Sequence, residues 1–257
     1  MSATLTVGNV TLGEGMPKII VSIMGDTEES ILSSAQKVAE FPEIVLAEWR
    51  ADHFCDALSS EKTLSVLQKI RAILPGKPLI YTFRTAREGG QAAISPADYI
   101  RLCEATAASQ LAALIDVEMF FEEAALRCVQ AVHAHNGKVI GSWHNFSLTP
   151  SEHEIIDRFR CMQHQGADVL KMAVMPNSEQ DVSRFVAAVQ QVRSFAKQPL
   201  CAIAMGELGR ETRISGEAFG SCLTFGAVGE ASAPGQVPVT ALHEALCAVH
   251  RSISKSC

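Results

Sequence analysis

The segment Asp168-Val169-Leu170-Lys171-Met172-Ala173-Val174 decides the fold, because seven similar runs accompany it along the chain. Each run is short, apolar and rich in β-branched residues, a pattern that predicts a buried strand. The runs recur at intervals of about thirty residues, and helical patterns fill the gaps between them. The other seven runs are residues 18–24, 43–49, 78–84, 112–119, 138–144, 200–205 and 222–228. Eight strands that alternate with helices predict an α/β protein with a parallel (β/α)8 barrel.

Helix-start signals lie in the gaps between these runs. In Ser95-Pro96-Ala97-Asp98 and in Thr149-Pro150-Ser151-Glu152, a hydroxyl residue, a proline and an acid stand at the N-cap, N1 and N3 positions of a predicted helix. From residue 181 onwards, apolar side chains recur at helical spacing and predict a helix packed on the barrel wall. These side chains are Val182, Phe185, Val186, Val189 and Val192.

The N-terminal segment predicts a β-hairpin. Two short runs, residues 4–7 and 10–12, flank Gly8-Asn9, a pair that suits a two-residue turn. We expect this hairpin to close the bottom of the barrel. Because no Pro/Gly/Ser-rich linker or internal sequence repeat interrupts the β/α rhythm, we expect residues 1–257 to form a single domain.

A doubly wound open sheet would give the same alternation of strands and helices. Such a sheet usually carries a glycine-rich phosphate loop after its first strand. Here that position reads Met24-Gly25-Asp26-Thr27-Glu28, and its acidic residues would repel a phosphate. The barrel is therefore the favoured architecture.

Composition limits the classes of partner. The chain is 47% hydrophobic and 19% charged, as expected of a globular protein, and its net charge of −6 argues against binding nucleic acid or an anionic membrane. Neither a signal peptide nor a run of about 18 apolar residues is present, which predicts a cytoplasmic protein with a small-molecule partner. The eight cysteines include no C-x-x-C pair, so we expect reduced core thiols and neither disulfides nor a zinc site.

A barrel presents its catalytic groups at the carboxyl ends of the strands and in the loops that follow. These positions bring many polar side chains to one rim. The candidates are Ser22, Glu48, Arg50, Arg84, Glu88, Asp116, Glu118, His144, Lys171, Met205, Arg213, Ser232 and Gln236. We therefore expect the functional site at this rim.

Lys171 places an ammonium in the middle of a buried-strand pattern. Desolvation lowers the pKa of a lysine, so Lys171 is a candidate amine nucleophile towards a carbonyl carbon; the alternative is a structural lysine paired with a carboxylate. His144 ends a predicted strand, where an imidazole suits acid/base catalysis or makes a structural hydrogen bond. Glu88 is a candidate to orient His144, and a solvated loop acid is its alternative interpretation.

Five further residues are candidates for substrate binding. Glu48 and Arg50 lie two apart on a strand, so both can face the barrel mouth and bind hydroxyl groups; an internal salt bridge, with Arg50 positioning Glu48, is the alternative. The guanidinium of Arg213, predicted in a long loop, suits a carboxylate, although such a residue is often only solvated. Residues 229–236, with Ser232 and Gln236, form a small-residue loop that suits a lid or a plain connector.

Several motifs occur together in one order along the chain. They are Glu48-Trp49-Arg50-Ala51-Asp52, Thr82-Phe83-Arg84 followed by Glu88-Gly89-Gly90, His144, Lys171-Met172-Ala173-Val174-Met175-Pro176 and Ser232-Ala233-Pro234-Gly235-Gln236. With these motifs the chain resembles the type I 3-dehydroquinate dehydratases of the shikimate pathway over nearly its full length. The resemblance implies a homodimeric hydro-lyase of aromatic amino acid biosynthesis. Such an enzyme converts 3-dehydroquinate to 3-dehydroshikimate through a lysine Schiff base, without a metal or cofactor.

The resemblance also implies a role for each matching residue. Lys171 would form the Schiff base with the substrate ketone, His144 would move the proton from the adjacent carbon to the departing hydroxyl, and Glu88 would support His144. The implied substrate contacts are Arg213 for the carboxylate, Glu48 and Arg84 for hydroxyl groups, and Ser22, Ser232 and Gln236, with Arg50 beside them.

The chain departs from the family pattern at two places, and two other functions are alternatives. Asn145 stands where the family often has an acid, and Ala202-Ile203-Ala204 where a hydroxyl residue is expected; none of these residues is assigned to chemistry. A class I aldolase-type barrel also uses a strand lysine but binds phosphorylated substrates near its last two strands, where this chain has Arg213. A binding protein on a decayed barrel is the other alternative, and the complete set of rim residues argues against it.

Overall fold

The computed structural model describes residues 3–229 and 233–255. The chain begins with an antiparallel hairpin of β1 (Leu5–Val7) and β2 (Val10–Leu12), and Gly8 in its turn has a φ of +59°. Eight parallel strands follow, as predicted. They are β3 (Lys18–Ile23), β4 (Leu46–Arg50), β5 (Leu79–Thr82), β6 (Leu114–Glu118), β7 (Val139–Asn145), β8 (Val169–Val174), β9 (Leu200–Ala204) and β10 (Leu223–Ala227).

Helices connect these strands along the outside of the sheet. They are α1 (Glu28–Ala39), α2 (Ser60–Ile73), α3 (Pro96–Ser109), α4 (Glu122–Ala134), α5 (Glu152–His164), α6 (Glu179–Phe195), α7 (Arg210–Ile214), α8 (Gly216–Phe219) and α9 (Val239–Ser254). Short 3₁₀ turns, Ala51–His53 and Ala86–Glu88, follow β4 and β5. A two-residue strand that the sequence did not predict, β11 (Val237–Pro238), pairs with β10 before α9.

The eight strands pair in sequence order from β3 to β9, and β10 pairs with β3. The first and last edges meet where β9 approaches β10. There a parallel bridge joins Leu200 to Ser221, and the N–H of Cys222 donates to the Leu200 carbonyl at 2.8 Å. The sheet therefore curls into the predicted barrel.

Side chains alternate between the two faces of this sheet, because successive strand residues point in opposite directions. Outward-facing residues such as Trp49 and Met172 pack against helix residues such as Phe159 and Phe185 in one apolar cluster. A second cluster fills the barrel interior and includes Val7, Val10 and Leu12 of the hairpin. Its strand members, here called the lower layer, are Ile20, Leu46, Ile80, Leu114, Ile140 and Val169. The hairpin thus closes the bottom of the barrel, as predicted.

Two residues beyond the lower layer, each strand points inward again. In six strands these positions are polar and form the upper layer, which consists of Ser22, Glu48, Thr82, Asp116, Ser142 and Lys171. In β9 and β10 the matching positions are the apolar Ile203 and Phe225. The apolar lower layer and the polar upper layer are therefore only two residues apart along each strand.

The predicted strand boundaries agree with the structure to within three residues. The predicted N-cap at Ser95 is confirmed. The predicted N-cap at Thr149 is wrong, because Ser151 caps α5 by accepting from the N–H of Glu154. The cysteines within residues 3–229 and 233–255 are free thiols, and most lie in or near the core as expected, but Cys55 is exposed. Among the same residues, no helix is both long and apolar enough to cross a membrane.

Candidate active site

A cavity opens at the carboxyl ends of the strands and collects nearly all of the predicted site residues. The family resemblance assigns a role to ten residues. One of them, Ser232, lies outside the described residues, and the other nine line the cavity. They are Ser22, Glu48, Arg50, Arg84, Glu88, His144, Lys171, Arg213 and Gln236. The lining also includes the rim candidate Met205 and residues to which the sequence assigned no role, namely His53, Gly89, Gln91, Phe146, Ala173, Ile203, Phe225 and Ala233.

Lys171 lies on β8 in the upper layer and is only 5% exposed. Its Nζ lies 2.9 Å from Asp116 Oδ2, 3.4 Å from Glu48 Oε1 and 4.8 Å from the centre of the Phe225 ring. Burial alone would lower the pKa of Lys171, but Asp116 and Glu48 outweigh it and raise that pKa above its usual value. The prediction that desolvation lowers this pKa is therefore wrong for the unliganded site, where the ammonium is stabilised.

Glu48 on β4 is the second carboxylate beside Lys171. Ser22 Oγ donates to its Oε2 at 2.7 Å and Thr82 Oγ1 to its Oε1 at 3.0 Å. Burial acts to raise the pKa of Glu48, but the ammonium of Lys171 and the guanidinium of Arg50 lower it below its usual value. Glu48 is therefore a charged acceptor at the cavity wall.

Arg50 follows at the end of β4 and is held by Asp52. Its Nε and Nη2 each donate at 2.8 Å to one oxygen of Asp52, which also accepts from the backbone N–H groups of Arg84 and Gln91. The internal salt bridge between Arg50 and Glu48, which was the alternative interpretation, is not formed, because the turn after β4 brings Asp52 to the guanidinium instead. The motif that contains Arg50 also contains Asp52, so the pairing of these two residues could have been predicted from the sequence.

Arg84 follows β5 and crosses the barrel interior, only 3% exposed. Its Nη2 lies 2.9 Å from Asp116 Oδ2, and its Nη1 donates to Ser142 Oγ at 2.9 Å and to Glu118 Oε1 at 3.2 Å. Burial opposes the charge of Arg84, but Asp116 and Glu118 raise its pKa well above the usual value. Arg84 therefore organises the carboxylates beneath the cavity.

His144 on β7 is oriented by Glu88, as predicted for a supported base. Its Nδ1 lies 2.8 Å from Glu88 Oε2, and the same oxygen accepts the backbone N–H of His144 at 3.0 Å. Glu88 reaches this position from the 3₁₀ turn after β5, which ends at Gly89 with a φ of +82°. These contacts fix the imidazole ring through Nδ1 and leave Nε2 for another partner.

The charge state of this pair follows from its surroundings. Burial, followed by the positive charges of Arg84 and Lys171, lowers the pKa of His144 well below its usual value. Burial and the carboxylate of Glu118 raise the pKa of Glu88, against the lowering effect of Arg84. The imidazole is therefore neutral at neutral pH and available as a base.

Arg213 lies on the short helix α7 and not in the long loop that the sequence predicted. The residue is 1% exposed, and its Nη2 donates to the Pro234 carbonyl at 2.9 Å. Its buried Nε has no hydrogen-bond partner within residues 3–229 and 233–255. Burial lowers the pKa of Arg213 to about 10. A guanidinium with an unused donor at a cavity wall suits an anionic ligand.

The two departures from the family pattern lie in different places. Ile203 lines the cavity, on its apolar side with Met205 and Phe225. Asn145 lies at the end of β7, where its Oδ1 accepts from the N–H groups of Ser147 and Leu148 and shapes the turn. In the part of the chain that the structure describes, no group of three or more His, Cys, Asp or Glu is arranged to hold a metal ion.

The family model described as Type I 3-dehydroquinase matches residues 19–253 of this chain. The chain belongs to the type I 3-dehydroquinases. A 3-dehydroquinate dehydratase of Salmonella paratyphi B is 41% identical over 251 residues, which cover 97% of this chain and 99% of that relative.

Solved structures of type I 3-dehydroquinases show the same fold. The enzyme of Clostridium difficile, solved with covalently modified comenic acid, matches with a TM-score of 0.94 and 37% identity over 98% of this chain and 100% of that one. A 3-dehydroquinate dehydratase from Geobacillus kaustophilus matches with a TM-score of 0.93 and 32% identity, over 98% and 99% of the two chains. As a type I 3-dehydroquinase, the protein is a Schiff-base hydro-lyase of the shikimate pathway.

Proposed function

We propose that Lys171 is the Schiff-base residue of this chain, that His144 is its base and acid, and that Glu88 holds His144 in place. One observation carries the proposal: a buried amine, a neutral imidazole and a buried guanidinium line one cavity at the barrel rim, and one donor of the guanidinium has no partner among the described residues. The guanidinium is that of Arg213, and the three groups match a substrate with a ketone, an acidic C–H bond and a carboxylate.

The first step joins Lys171 to the substrate. Its ammonium gives up a proton, the amine nitrogen adds to the ketone carbon, and the carbinolamine loses water to leave a protonated imine. The neutral imidazole of His144 lies in the same cavity and is a suitable acceptor for that first proton. It returns the proton to the departing hydroxyl of the carbinolamine, so the imidazole is neutral again when the elimination begins.

The second step is the elimination. His144 takes a proton from the carbon next to the imine, the C–H electron pair forms a C=C bond, and the C=N π electrons move onto the nitrogen, which gives an enamine. The enamine then expels the neighbouring hydroxyl, which leaves as water with the proton from His144. Hydrolysis of the resulting imine releases the product and restores Lys171. Glu88 keeps the ring aligned during both proton transfers.

The substrate's other groups have partners on the cavity wall. Arg213 would bind the carboxylate, while Glu48 and Arg84, with Ser22 and Arg50 beside them, would face its hydroxyl groups. We also propose that residues 229–236 act as a lid through Ser232 and Gln236. The described part of that loop already contacts the rim, since the Gly206 N–H donates to the Pro234 carbonyl at 3.2 Å.

The family resemblance supports several finer proposals. We propose that residues 1–257 form one catalytic barrel, that the protein acts in the cytoplasm as a homodimer, and that it needs neither metal nor cofactor, because the imine itself is the electron sink. Light scattering of the purified protein tests the oligomeric state, and turnover in the presence of a chelator tests the metal requirement.

The carboxylate contact provides a sharp test of the proposed site, because α7 carries two arginines in different environments. Arg213 is buried against the cavity, whereas Arg210 is exposed and pairs with Glu207. We expect Arg213→Met to raise KM for 3-dehydroquinate about tenfold to a hundredfold, since a hydrogen bond to a charged group contributes about 1.5–3 kcal/mol. Product formation is followed by the ultraviolet absorbance of the conjugated enone.

Arg210→Met is the matched control and should leave KM within about twofold, because a surface ion pair contributes about 0–1 kcal/mol. Equal effects of the two substitutions would refute the assignment of Arg213. A wild-type protein that is folded but does not convert 3-dehydroquinate would refute the function as a whole.

A further inference from the structure

We propose that Asp116 is the counter-ion of the protonated imine on Lys171 and is therefore a further catalytic residue of this site. The proposal rests on the function proposed above, because it concerns the nitrogen atom that forms the imine. It adds a role that is distinct from those of His144 and Glu88: control of the charge on the electron sink.

The position of Asp116 is set by the barrel. It lies in the upper layer on β6, is 1% exposed, and its Oδ2 is 2.9 Å from Lys171 Nζ on β8. Among the carboxylates that contact this nitrogen in the described part of the chain, Asp116 is nearer than Glu48, whose Oε1 is 3.4 Å away.

Other residues hold the Asp116 carboxylate independently of Lys171. Ser142 Oγ donates to Oδ1 at 2.6 Å, and Arg84 Nη2 lies 2.9 Å from Oδ2. The carboxylate therefore stays in place when Lys171 exchanges its ammonium for an imine. Glu48 is less suited to this role, because it already accepts from Ser22 and faces the substrate's hydroxyl groups in the proposed function.

The imine needs such a partner for a chemical reason. An ammonium has three N–H bonds, but an imine formed from it keeps one proton and withdraws electrons well only while it holds that proton. A nearby anion raises the pKa of the imine N–H, and a nearby cation lowers it.

Groups from several elements face Lys171 and contribute to this balance. Asp116 and Glu48 favour the positive charge, Arg84 opposes it, and Cys201 on β9 is a further titratable neighbour. Phe225 on β10 presents its ring to Nζ, and Lys171 in turn affects the charge of His144 on β7. Without Asp116, Glu48 would remain as the carboxylate beside the imine in the described part of the chain, against the opposing charge of Arg84.

The experiment is borohydride trapping of the 3-dehydroquinate adduct as a function of pH, because borohydride reduces the protonated imine. The full-length wild type and Asp116→Asn are compared by intact mass from neutral to alkaline pH. The alkaline limit of trapping is the pH above which the amount of reduced adduct falls to half. We expect this limit to move to lower pH by about one unit in the variant, which is a tenfold change in the acid constant of the imine. We also expect the turnover number to fall about a hundredfold, as after loss of one preorganised electrostatic partner.

Ser142→Ala is the matched control, because the Ser142 hydroxyl hydrogen-bonds to Asp116 and Arg84 and, within residues 3–229 and 233–255, makes no hydrogen bond to the Lys171 nitrogen. It disturbs the packing of the network but keeps the carboxylate, so its alkaline limit should match that of the wild type. An Asp116→Asn curve that overlays the wild-type curve would overturn the proposal, as would an equal shift in Ser142→Ala.

The wild-type curve keeps the proposal testable if Asp116→Asn does not fold. An imine without an adjacent anion loses its proton near neutrality, so trapping in the wild type should persist well into the alkaline range. A decline near neutrality would contradict the counter-ion role while leaving Lys171 as the Schiff-base residue. A complete absence of adduct in the folded wild type would instead contradict the proposed function itself.

Discussion

The lower and upper layers of the barrel interior differ sharply, although the same six strands, β3 to β8, build both. In the lower layer every strand member is apolar, and Leu12 of the hairpin packs beneath it with no exposed surface. In the upper layer, Lys171 is held between Asp116 and Glu48. The two layers are one strand repeat apart, which shows that a barrel can separate stability from chemistry over two residues.

The energetic roles of the layers differ accordingly. Apolar burial stabilises the lower layer in proportion to the area removed from water. The upper layer contains buried charges, whose desolvation offsets most of their mutual attraction. We therefore expect substitutions in the upper layer to affect catalysis first and substitutions in the lower layer to affect stability first.

The largest effect on turnover among the substitutions below is expected for His144→Ala. The variant keeps Lys171, so the imine should still form, but product formation should fall about 10²- to 10⁴-fold because general acid/base catalysis is lost. Borohydride trapping and the product's absorbance measure the two steps separately. His133→Ala is the control and should retain activity, because the His133 side chain is half-exposed and pairs with Asp168. Unchanged turnover in His144→Ala would contradict the assigned role.

A smaller effect on activity and a clear effect on stability are expected for Leu12→Ala. Removing this buried side chain should lower the free energy of unfolding by about 2–5 kcal/mol, measured by urea denaturation. The turnover number of the folded enzyme should change little, because the hairpin lies at the opposite end of the barrel from the cavity. Leu126→Ala, exposed by 49%, should change stability by at most about 0.5 kcal/mol. A large loss of turnover in folded Leu12→Ala would show that the layers are coupled.

The sequence predicts those features that depend on local periodicity. The eight strands, the hairpin around Gly8 and the helix start at Ser95 all follow from patterns within a few residues. The rim location of Lys171 and His144 follows from the same patterns, because the strand ends of a barrel share one face. The motifs of the chain then indicated the family.

Features that depend on distant neighbours were predicted less well. The sign of the pKa shift of Lys171 was wrong because its two carboxylate partners, Asp116 and Glu48, lie 55 and 123 residues away along the chain. The alternative salt bridge between Arg50 and Glu48 is not formed because the 3₁₀ turn after β4 brings Asp52 back to the guanidinium. The helix start near residue 150 was misplaced because two hydroxyl residues, Thr149 and Ser151, compete for the same signal.

The central claim is that Lys171 forms a covalent imine with the substrate. The most direct test reduces the protein with borohydride in the presence and absence of 3-dehydroquinate, measures its intact mass and maps the modified peptide. The account predicts an adduct that depends on the substrate, lies on Lys171 and disappears in Lys171→Met, while Lys138→Met, an exposed lysine beside Asp168, keeps it. A folded wild-type protein with no adduct, or with an adduct on another lysine, would contradict the account.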